Sequence, residues 1–174
     1  MASKKDQKKV KIIDSWKKKR WYPIVAPKTF GSAVLGETPI LEAEFLKGRC
    51  VIANLGILMR DSKKQNMNMT FEVTGVAEGK AVTQIKRVVI IPSSIKRLVR
   101  RSQERIDDSF LVTTKDGIAV RLKPFFLTKN QCSNSICTSL RMKARELFDA
   151  YSKETTFDIL VQDVLSKKMI REAK

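Results

Sequence analysis

The run FLVTTKDGIAVRL, Phe110–Leu122, most constrains the fold, because it reads as two short strands around an Asp-Gly turn. The alternate positions that define the two matching strand faces are Phe110, Val112, Thr114, Ile118, Val120 and Leu122. Such alternation is typical of half-buried strands, and Asp-Gly favours a two-residue hairpin turn. We therefore predict a β-hairpin. Asp116 is interpreted as a turn former rather than a catalytic carboxylate, because Asp and Gly tolerate the positive φ angles of such a turn.

The segment directly before the hairpin combines a helix-start signal with many cations. Pro92 is followed by Ser93 and Ser94, either of which is suited to cap a helix N-terminus. On a helix, one side would carry the residues Ile95, Leu98, Val99, Ser102 and Ile106. The other side would carry the cations Lys96, Arg97, Arg100, Arg101 and Arg105. We predict a basic helix over residues 93–105 that packs through one face and presents the other to a polyanion.

The positive charge of the chain limits its classes of function. Lys and Arg number 35 against 18 Asp and Glu, which gives a formal net charge of +17 over 174 residues. This excess favours a nucleic acid or another polyanion as partner, with a merely soluble basic protein as the alternative. Residues 4–20 are strongly basic and poor in apolar side chains, so burial cannot order them. We predict a basic N-terminal arm over residues 1–21 that is disordered unless RNA is bound.

Two aromatic residues, Trp21 and Tyr22, end this arm. Nucleobases stack on aromatic rings while Lys and Arg hold phosphates, so the combination favours RNA. Trp21 is equally suited to closing the edge of a core, and the sequence leaves both roles open.

The supply of reactive side chains argues against catalysis. Histidine is absent, which removes the commonest general base and metal ligand. The three cysteines, Cys50, Cys132 and Cys137, cannot complete a four-ligand zinc site alone. No Gly-rich phosphate loop or paired carboxylates stand out. We predict no enzyme activity, no cofactor and no metal, with reduced thiols and Cys50 as a small buried hydrophobe.

The sequence contains no apolar run as long as a membrane span and no secretory signal, so we expect a cytosolic protein without a membrane partner. Strand-like composition marks residues 49–55, and strand alternation marks residues 69–74. A further strand over residues 81–92 breaks its alternation near Gln84, which indicates a bulge.

Residues 131–168 have the period of helices. The first helix is expected to pack through Leu140, Ala144, Leu147, Phe148 and Tyr151. The second is expected to begin near Thr155 or Thr156. The chain is thus divided into the arm (1–21), a β-rich core domain with the basic helix (22–154) and a C-terminal helix with tail (155–174).

Four motifs carry a resemblance to a known family. They are KKRWYPIVAPKTFG (Lys18–Gly31), KGRCVIANL (Lys47–Leu55), IKRLVRRSQERID (Ile95–Asp107) and FLVTTKDGIAVRL (Phe110–Leu122). Through them the chain resembles the ribosomal proteins of the archaeal and eukaryotic S-one-e (S-three-a-e) family over nearly its whole length. Members usually extend beyond the last helix, so we expect a reduced or divergent member.

The resemblance implies an α+β fold, an antiparallel β-barrel-like sheet flanked by helices, with an extended basic N-terminal arm. It implies a non-catalytic structural constituent of the small ribosomal subunit, ribosome-bound in the cytoplasm, on the platform near the mRNA exit side. The implied partners are small-subunit rRNA and neighbouring small-subunit ribosomal proteins, with direct contact to mRNA left open. The alternative function is a free RNA-binding or RNA-chaperone module that acts off the ribosome.

The residues expected to bind RNA come from three places in the chain. The arm is expected to contribute Lys17, Lys18, Lys19, Arg20 and Trp21. The basic helix is expected to contribute Lys96, Arg97, Arg100, Arg101 and Arg105, and the hairpin tip Lys115. Their cationic groups would neutralise rRNA phosphates and release counterions.

Overall fold

The computed structural model of the protein describes residues 18–166. Most of the predicted arm, residues 1–17, lies outside this part of the chain, as do residues 167–174 of the predicted tail. The described residues divide into two compact units, the first ending at Ile95 and the second beginning at Lys96. The sequence instead predicts one core domain over residues 22–154. The α+β class is confirmed by the mixture of strands and helices.

The first unit is built on a five-stranded sheet with the order β2-β1-β5-β4-β3. Its strands are β1 (Arg20–Val25), β2 (Val34–Ile40), β3 (Cys50–Asn54), β4 (Met67–Ala77) and β5 (Lys80–Ile90). Neighbouring strands are antiparallel except β1 and β5, which run parallel. The order leaves β2 and β3 as edges, so the barrel-like sheet of the described residues is open rather than closed.

Alternation along β4 determines which face of the sheet is buried. Met69, Phe71 and Val73 are buried, as the period-2 pattern predicts. The core cluster of this unit consists of Ile24, Ile40, Leu46, Val73 and Ala81. The β4–β5 register shifts on either side of the pair between Glu72 and Gln84, which confirms the predicted irregularity near Gln84.

Cys50 lies on the other face of the sheet. It pairs with Glu72 across β3 and β4 and is exposed. The prediction that Cys50 is a buried hydrophobe is therefore wrong, because the inward positions of β3 are taken by its neighbours Val51 and Ala53, which pair with the buried Phe71 and Met69.

Two short helices complete the description of this part of the chain. Helix α1 (Leu55–Met59) follows β3 directly, and helix α2 (Pro92–Leu98) follows β5 and contains the boundary between the units. Short 3-10 turns cover Lys28–Phe30, Ala43–Leu46 and Ser62–Lys64.

The basic helix predicted over residues 93–105 is wrong in its extent. Helix α2 ends at Leu98, which is exposed, and Gln103 N donates to Arg100 O in a turn. Arg105 begins a strand in which the buried Ile106 pairs with Phe126. This pairing joins distant parts of the sequence, so local helical periodicity could not reveal it.

The second unit packs two small sheets with two helices. Strand β6 (Arg105–Asp107) pairs with β9 (Phe125–Leu127), and β7 (Phe110–Thr113) pairs with β8 (Ala119–Leu122). Helices α3 (Asn134–Glu154) and α4 (Phe157–Ser166) follow. Their core centres on Phe148 and Leu160, and the ring of Phe148 stacks on Phe110 at 6.2 Å and on Phe126 at 6.3 Å between centroids.

The hairpin of β7 and β8 confirms the prediction, although its loop has one residue more. Thr114 N donates to Ile118 O at 3.0 Å, and Gly117 N donates to Thr114 O at 2.9 Å. Gly117 has a φ of +76°, so the loop is a type I turn followed by a left-handed glycine. The loop itself therefore consists of Lys115, Asp116 and Gly117.

Asp116 has a structural role beyond the turn. Its Oδ2 accepts a hydrogen bond from Phe157 N at 2.9 Å, at the first residue of α4. The adjacent Lys115 N donates to Thr155 O at 3.1 Å, which ties the hairpin tip to the α3–α4 junction. Asp116 thus satisfies one of the unpaired N–H groups at the start of the helix.

The packing face of α3 differs in part from the prediction. Phe148 is buried and Ala144 and Tyr151 are half-buried, but Leu140 and Leu147 are exposed. The buried side of the helix also includes Cys137 and Ser152. Ser152 is accommodated because its Oγ donates to Phe148 O at 2.7 Å.

Candidate nucleic-acid interface

The five cations predicted on one helix lie on three successive structural elements. Lys96 and Arg97 occupy the last turn of α2, Arg100 and Arg101 lie in the following turn, and Arg105 begins β6. All five side chains are exposed. The segment therefore presents positive charge to solvent, but from a helix end and a turn rather than from one helical face.

Arg105 differs from the other four because its charge is already paired. Its Nη2 lies 2.7 Å from Asp107 Oδ2, and its Nε donates to Asp107 Oδ1 at 2.9 Å. Residues two apart on a strand share one side, so this bidentate pair follows from β6 being extended. Arg105 is consequently a weaker candidate for contact with phosphate.

The remaining four cations, Lys96, Arg97, Arg100 and Arg101, make no ion pair or side-chain hydrogen bond within residues 18–166. Three of them are arginines, whose planar guanidinium groups can hold phosphate oxygens in pairs. We call these four residues the basic turn. Their exposed, uncompensated charges make the basic turn the best phosphate-binding candidate of the second unit.

The chain that carries the basic turn is fixed at its C-terminal end. Gln103 N donates to Arg100 O at 3.1 Å, and Glu104 N donates to Thr128 Oγ1 at 2.9 Å. Thr128 N in turn donates to Glu104 O at 3.1 Å. These bonds hold the backbone of the turn in place, which lowers the entropy that ordering it on a ligand would cost.

The predicted arm residues belong to the first unit. Lys18 and Arg20 are exposed, Lys19 is half-buried, and Lys17 lies outside the described residues. Trp21 is 63% exposed on β1, so the alternative that it closes the core edge is wrong. The half-buried Tyr22 instead packs against the core cluster of this unit.

Lys115 is exposed at the tip of the hairpin, where its backbone is held by the bond to Thr155. The structure places it with the basic turn in the second unit, while Lys18, Arg20 and Trp21 belong to the first. The predicted residues therefore belong to two different units.

A further cluster of cations lies outside the predicted site. Residues 60–64, RDSKK, directly follow α1 and carry Arg60, Lys63 and Lys64, and Ile57 on α1 is strongly exposed. The signal in the sequence is three cations within five residues, and that signal does not reveal the exposure of Ile57.

Cys50, Glu72 and Lys86 lie together on the exposed face of the sheet, where Lys86 and Glu72 form an ion pair. Lys86 Nζ lies 3.0 Å from Glu72 Oε1 and 3.7 Å from Cys50 Sγ. The hydrogen bond with Glu72 is the main cause that raises the pKa of Lys86. A lysine held in its protonated form is a poor base and nucleophile, so the cluster has no evident catalytic use.

A second ion pair stabilises the second unit. Arg145 Nη2 donates to Asp108 Oδ1 at 2.9 Å, and the guanidinium carbon lies 5.6 Å from the centre of the Phe110 ring. The bond from Arg145, helped by the backbone N–H of Ser109, lowers the pKa of Asp108. Among the described residues, no three Cys, Asp or Glu side chains are grouped closely enough to hold a metal ion.

The fold and its exposed cations define a small basic α+β protein, and comparison with known proteins places it in the ribosomal class. The chain belongs to the Ribosomal S3Ae family, whose model matches residues 7–174. It is 37% identical over 170 residues to the small ribosomal subunit protein eS1 of Sulfurisphaera tokodaii, covering 95% of this chain and 88% of the relative.

Two further relatives carry the same name. The protein of Desulfurococcus amylolyticus is 34% identical over 161 residues, which is 92% of this chain and 76% of the relative. The protein of Methanothermobacter thermautotrophicus is 30% identical over 162 residues, 93% of this chain and 83% of the relative. The predicted family is confirmed, and with it the prediction of a structural, non-enzymatic ribosomal protein. Within residues 18–166, none of the helices is both long and apolar enough to cross a membrane.

Proposed function

We propose that the protein is a structural constituent of the small ribosomal subunit, bound to its rRNA in the cytoplasm. The names of the relatives support the assignment to the small subunit. The observation that carries rRNA binding is the basic turn, whose four exposed cations lack partners among the described residues. The family resemblance further favours a position on the platform near the mRNA exit side, beside neighbouring ribosomal proteins and within reach of mRNA.

Binding at the basic turn would be electrostatic. Each cation that neutralises a phosphate releases a counterion. The logarithm of the affinity therefore falls linearly with the logarithm of the salt concentration, and the slope is proportional to the number of phosphate contacts.

Exposed Trp21 offers a ring on which an unpaired base can stack, and Lys18 and Arg20 lie close to it in the sequence. The protein would hold RNA in place without performing chemistry.

The test compares two triple variants with the same change in charge. Arg97→Gln, Arg100→Gln and Arg101→Gln remove three charges from the basic turn. Lys28→Gln, Lys47→Gln and Lys80→Gln remove three charges from lysines that are also exposed and lie elsewhere in the chain. Affinity for the cognate small-subunit rRNA is measured from 50 to 200 mM salt, conditions chosen because phosphate contacts respond over about that range.

The basic-turn variant should reduce the slope of log affinity against log salt by about two to three, and the control by much less. Equal reductions in both variants would show that only net charge matters, which would contradict a site at the basic turn.

A separate measurement distinguishes a subunit component from a free RNA-binding module. Tagged protein expressed in its own cells is sedimented through a gradient at high salt. Retention in the small-subunit fraction is expected, because many phosphate and protein contacts hold a component in an assembled particle. Quantitative release into the free fraction would favour the free module.

A further inference from the structure

Residues 55–65, which we call the α1 tip, hold a large apolar side chain out in solvent. The α1 tip consists of helix α1 and the 3-10 turn Ser62–Lys64. Ile57 is 80% exposed, and Met59 on the same short helix is also exposed. The first two residues of the helix, Leu55 and Gly56, are buried and anchor it. Ile57 is more exposed than any other large hydrophobic residue in the described part of the chain.

The side chain of Asn54 joins the two ends of the α1 tip. Asn54 Oδ1 accepts from Gly56 N at 2.9 Å and so caps the helix. Asn54 Nδ2 donates to Gln65 O at 2.8 Å and to Asn68 Oδ1 at 3.1 Å. One amide therefore ties the first residues of the tip to its last residue and to strand β4.

Close packing and a left-handed residue fix the middle of the α1 tip. A Cβ on Gly56 would lie 2.9 Å from Gln65 Cγ and 3.0 Å from Gln65 Cα, so only glycine allows this approach. Arg60 ends the helix with a φ of +53°, a conformation that non-glycine residues rarely adopt. Asp61 N donates to Gly56 O at 3.0 Å across this bend. The exposure of Ile57 is thus imposed by a well-bonded structure.

The residues that follow Met59 in the α1 tip are rich in cations. Arg60 and Lys63 are exposed, and Lys64 Nζ lies 3.4 Å from Met59 Sδ. Asp61 is the single acid of the tip, and its Oδ1 accepts from Lys63 N at 3.0 Å. None of the three cations forms an ion pair with a described residue.

We propose that the α1 tip is a second RNA contact, in which Ile57 and Met59 pack against an unstacked base or ribose of rRNA. Arg60 and Lys63 then meet the phosphates on either side. This inference rests on the proposed function, because the partner is the same rRNA. Cations beside the apolar side chains favour a polyanion, and proteins insert apolar side chains against bases in this way. A rigid tip is suited to the role, since little order is lost on binding.

The test separates the apolar contact from the charged one. Ile57→Ser should weaken binding to the cognate small-subunit rRNA about fivefold to tenfold, the low end of what a lost base-stacking contact costs, with an unchanged salt slope. The matched control is Ile52→Ser on β3, which removes an isoleucine that is 69% exposed outside the tip. Ile57→Phe should bind as well as the wild type, because a phenyl ring can also cover a base.

The charged contact is tested with the double variant Arg60→Gln and Lys63→Gln, which should lower the salt slope by about one to two. Thermal unfolding of each variant verifies that it is folded. If every α1 tip variant binds like the wild type while the basic-turn variant loses affinity, the α1 tip proposal is overturned and the proposed function stands. If neither set of variants loses affinity, both are overturned.

Discussion

Replacing Asp116 by alanine should destabilise the protein without weakening RNA binding. The Asp116 carboxylate accepts a hydrogen bond from Phe157 N at 2.9 Å, where helix α4 begins. Loss of a side chain that caps a helix costs about 0.5–2 kcal/mol. Asp116 also occupies the hairpin turn, where its short side chain favours the observed conformation. We expect a loss of about 1–2 kcal/mol in the free energy of unfolding.

Two further variants separate the causes. Asp116→Asn keeps an oxygen acceptor and the turn preference but removes the charge, so it should cost less than half as much. Asp158→Ala removes an exposed carboxylate in the first turn of α4 that forms no side-chain hydrogen bond or ion pair within residues 18–166 and so acts there through the helix dipole. Its cost should stay below about 0.5 kcal/mol, since such charges contribute little when solvated.

The assay is thermal unfolding of the whole chain followed by circular dichroism, with rRNA affinity measured in parallel. A loss of 1 kcal/mol lowers the melting temperature of a unit of this size by about 4–8 °C. If Asp116→Ala lowers the melting temperature no more than Asp158→Ala, the capping role is refuted. A marked fall in rRNA affinity of the folded variant would instead show that Asp116 belongs to the interface.

The ion pairs support two further predictions. Arg105→Gln should lower the salt slope of rRNA binding less than Arg100→Gln, because the Arg105 guanidinium already has a carboxylate partner, and equal effects would contradict this. Asp108→Asn should destabilise the protein at neutral pH, because Arg145, helped by the Ser109 N–H, lowers the pKa of Asp108. A carboxyl group with a lowered folded-state pKa stabilises above its unfolded pKa, and this stability is lost as the pH falls through the folded value. In urea unfolding, the difference in the free energy of unfolding between Asp108→Asn and the wild type should be present near pH 7 and disappear well below pH 3.8. A difference that does not depend on pH would show that the ion pair is not its cause.

Short-range patterns predicted the antiparallel strands well. The alternation along β4 corresponds to the buried Met69 and Phe71, and the Asp-Gly signal located the β7–β8 hairpin. These features depend on residues that are close in sequence, so local rules suffice. The loop length was wrong by one residue because Gly117 follows a type I turn in the left-handed region, a choice that the dipeptide does not determine.

The prediction of a basic helix over residues 93–105 was wrong in its extent because of a strand pairing between residues that are far apart in the sequence. Ile106 fits a helical stripe with Ile95, but its buried position is on a strand paired with Phe126. Once Arg105 is extended, Asp107 lies on the same side and pairs with it, which makes Arg105 a weaker candidate for contact with phosphate. The exposure of the cations was therefore predictable, whereas which of them stays uncompensated depended on tertiary pairing.

The exposure of the apolar residues of the α1 tip could not be predicted from the sequence either. Apolar residues such as Ile57 are usually buried, and nothing in the local sequence distinguishes it from the buried Leu55. Its exposure arises from the bonds of Asn54 to Gln65 and to Asn68 on β4 and from the close approach of Gly56 to Gln65, contacts between residues that are not neighbours in the sequence.

The parallel pairing of β1 with β5 has a consequence for the synthesis of the protein. Thr83 Oγ1 donates to Val25 O at 2.8 Å, joining positions 58 apart in sequence. Strands β1 and β2 can pair as soon as they are made, but they join the rest of the sheet only when β5 has emerged. Until then the core around Ile24 lacks Ala81, which lies on β5, and the edge of β1 stays open to pairing with other chains. Pairings between distant strands also form slowly. The first unit is therefore most prone to aggregation while the chain is still being made.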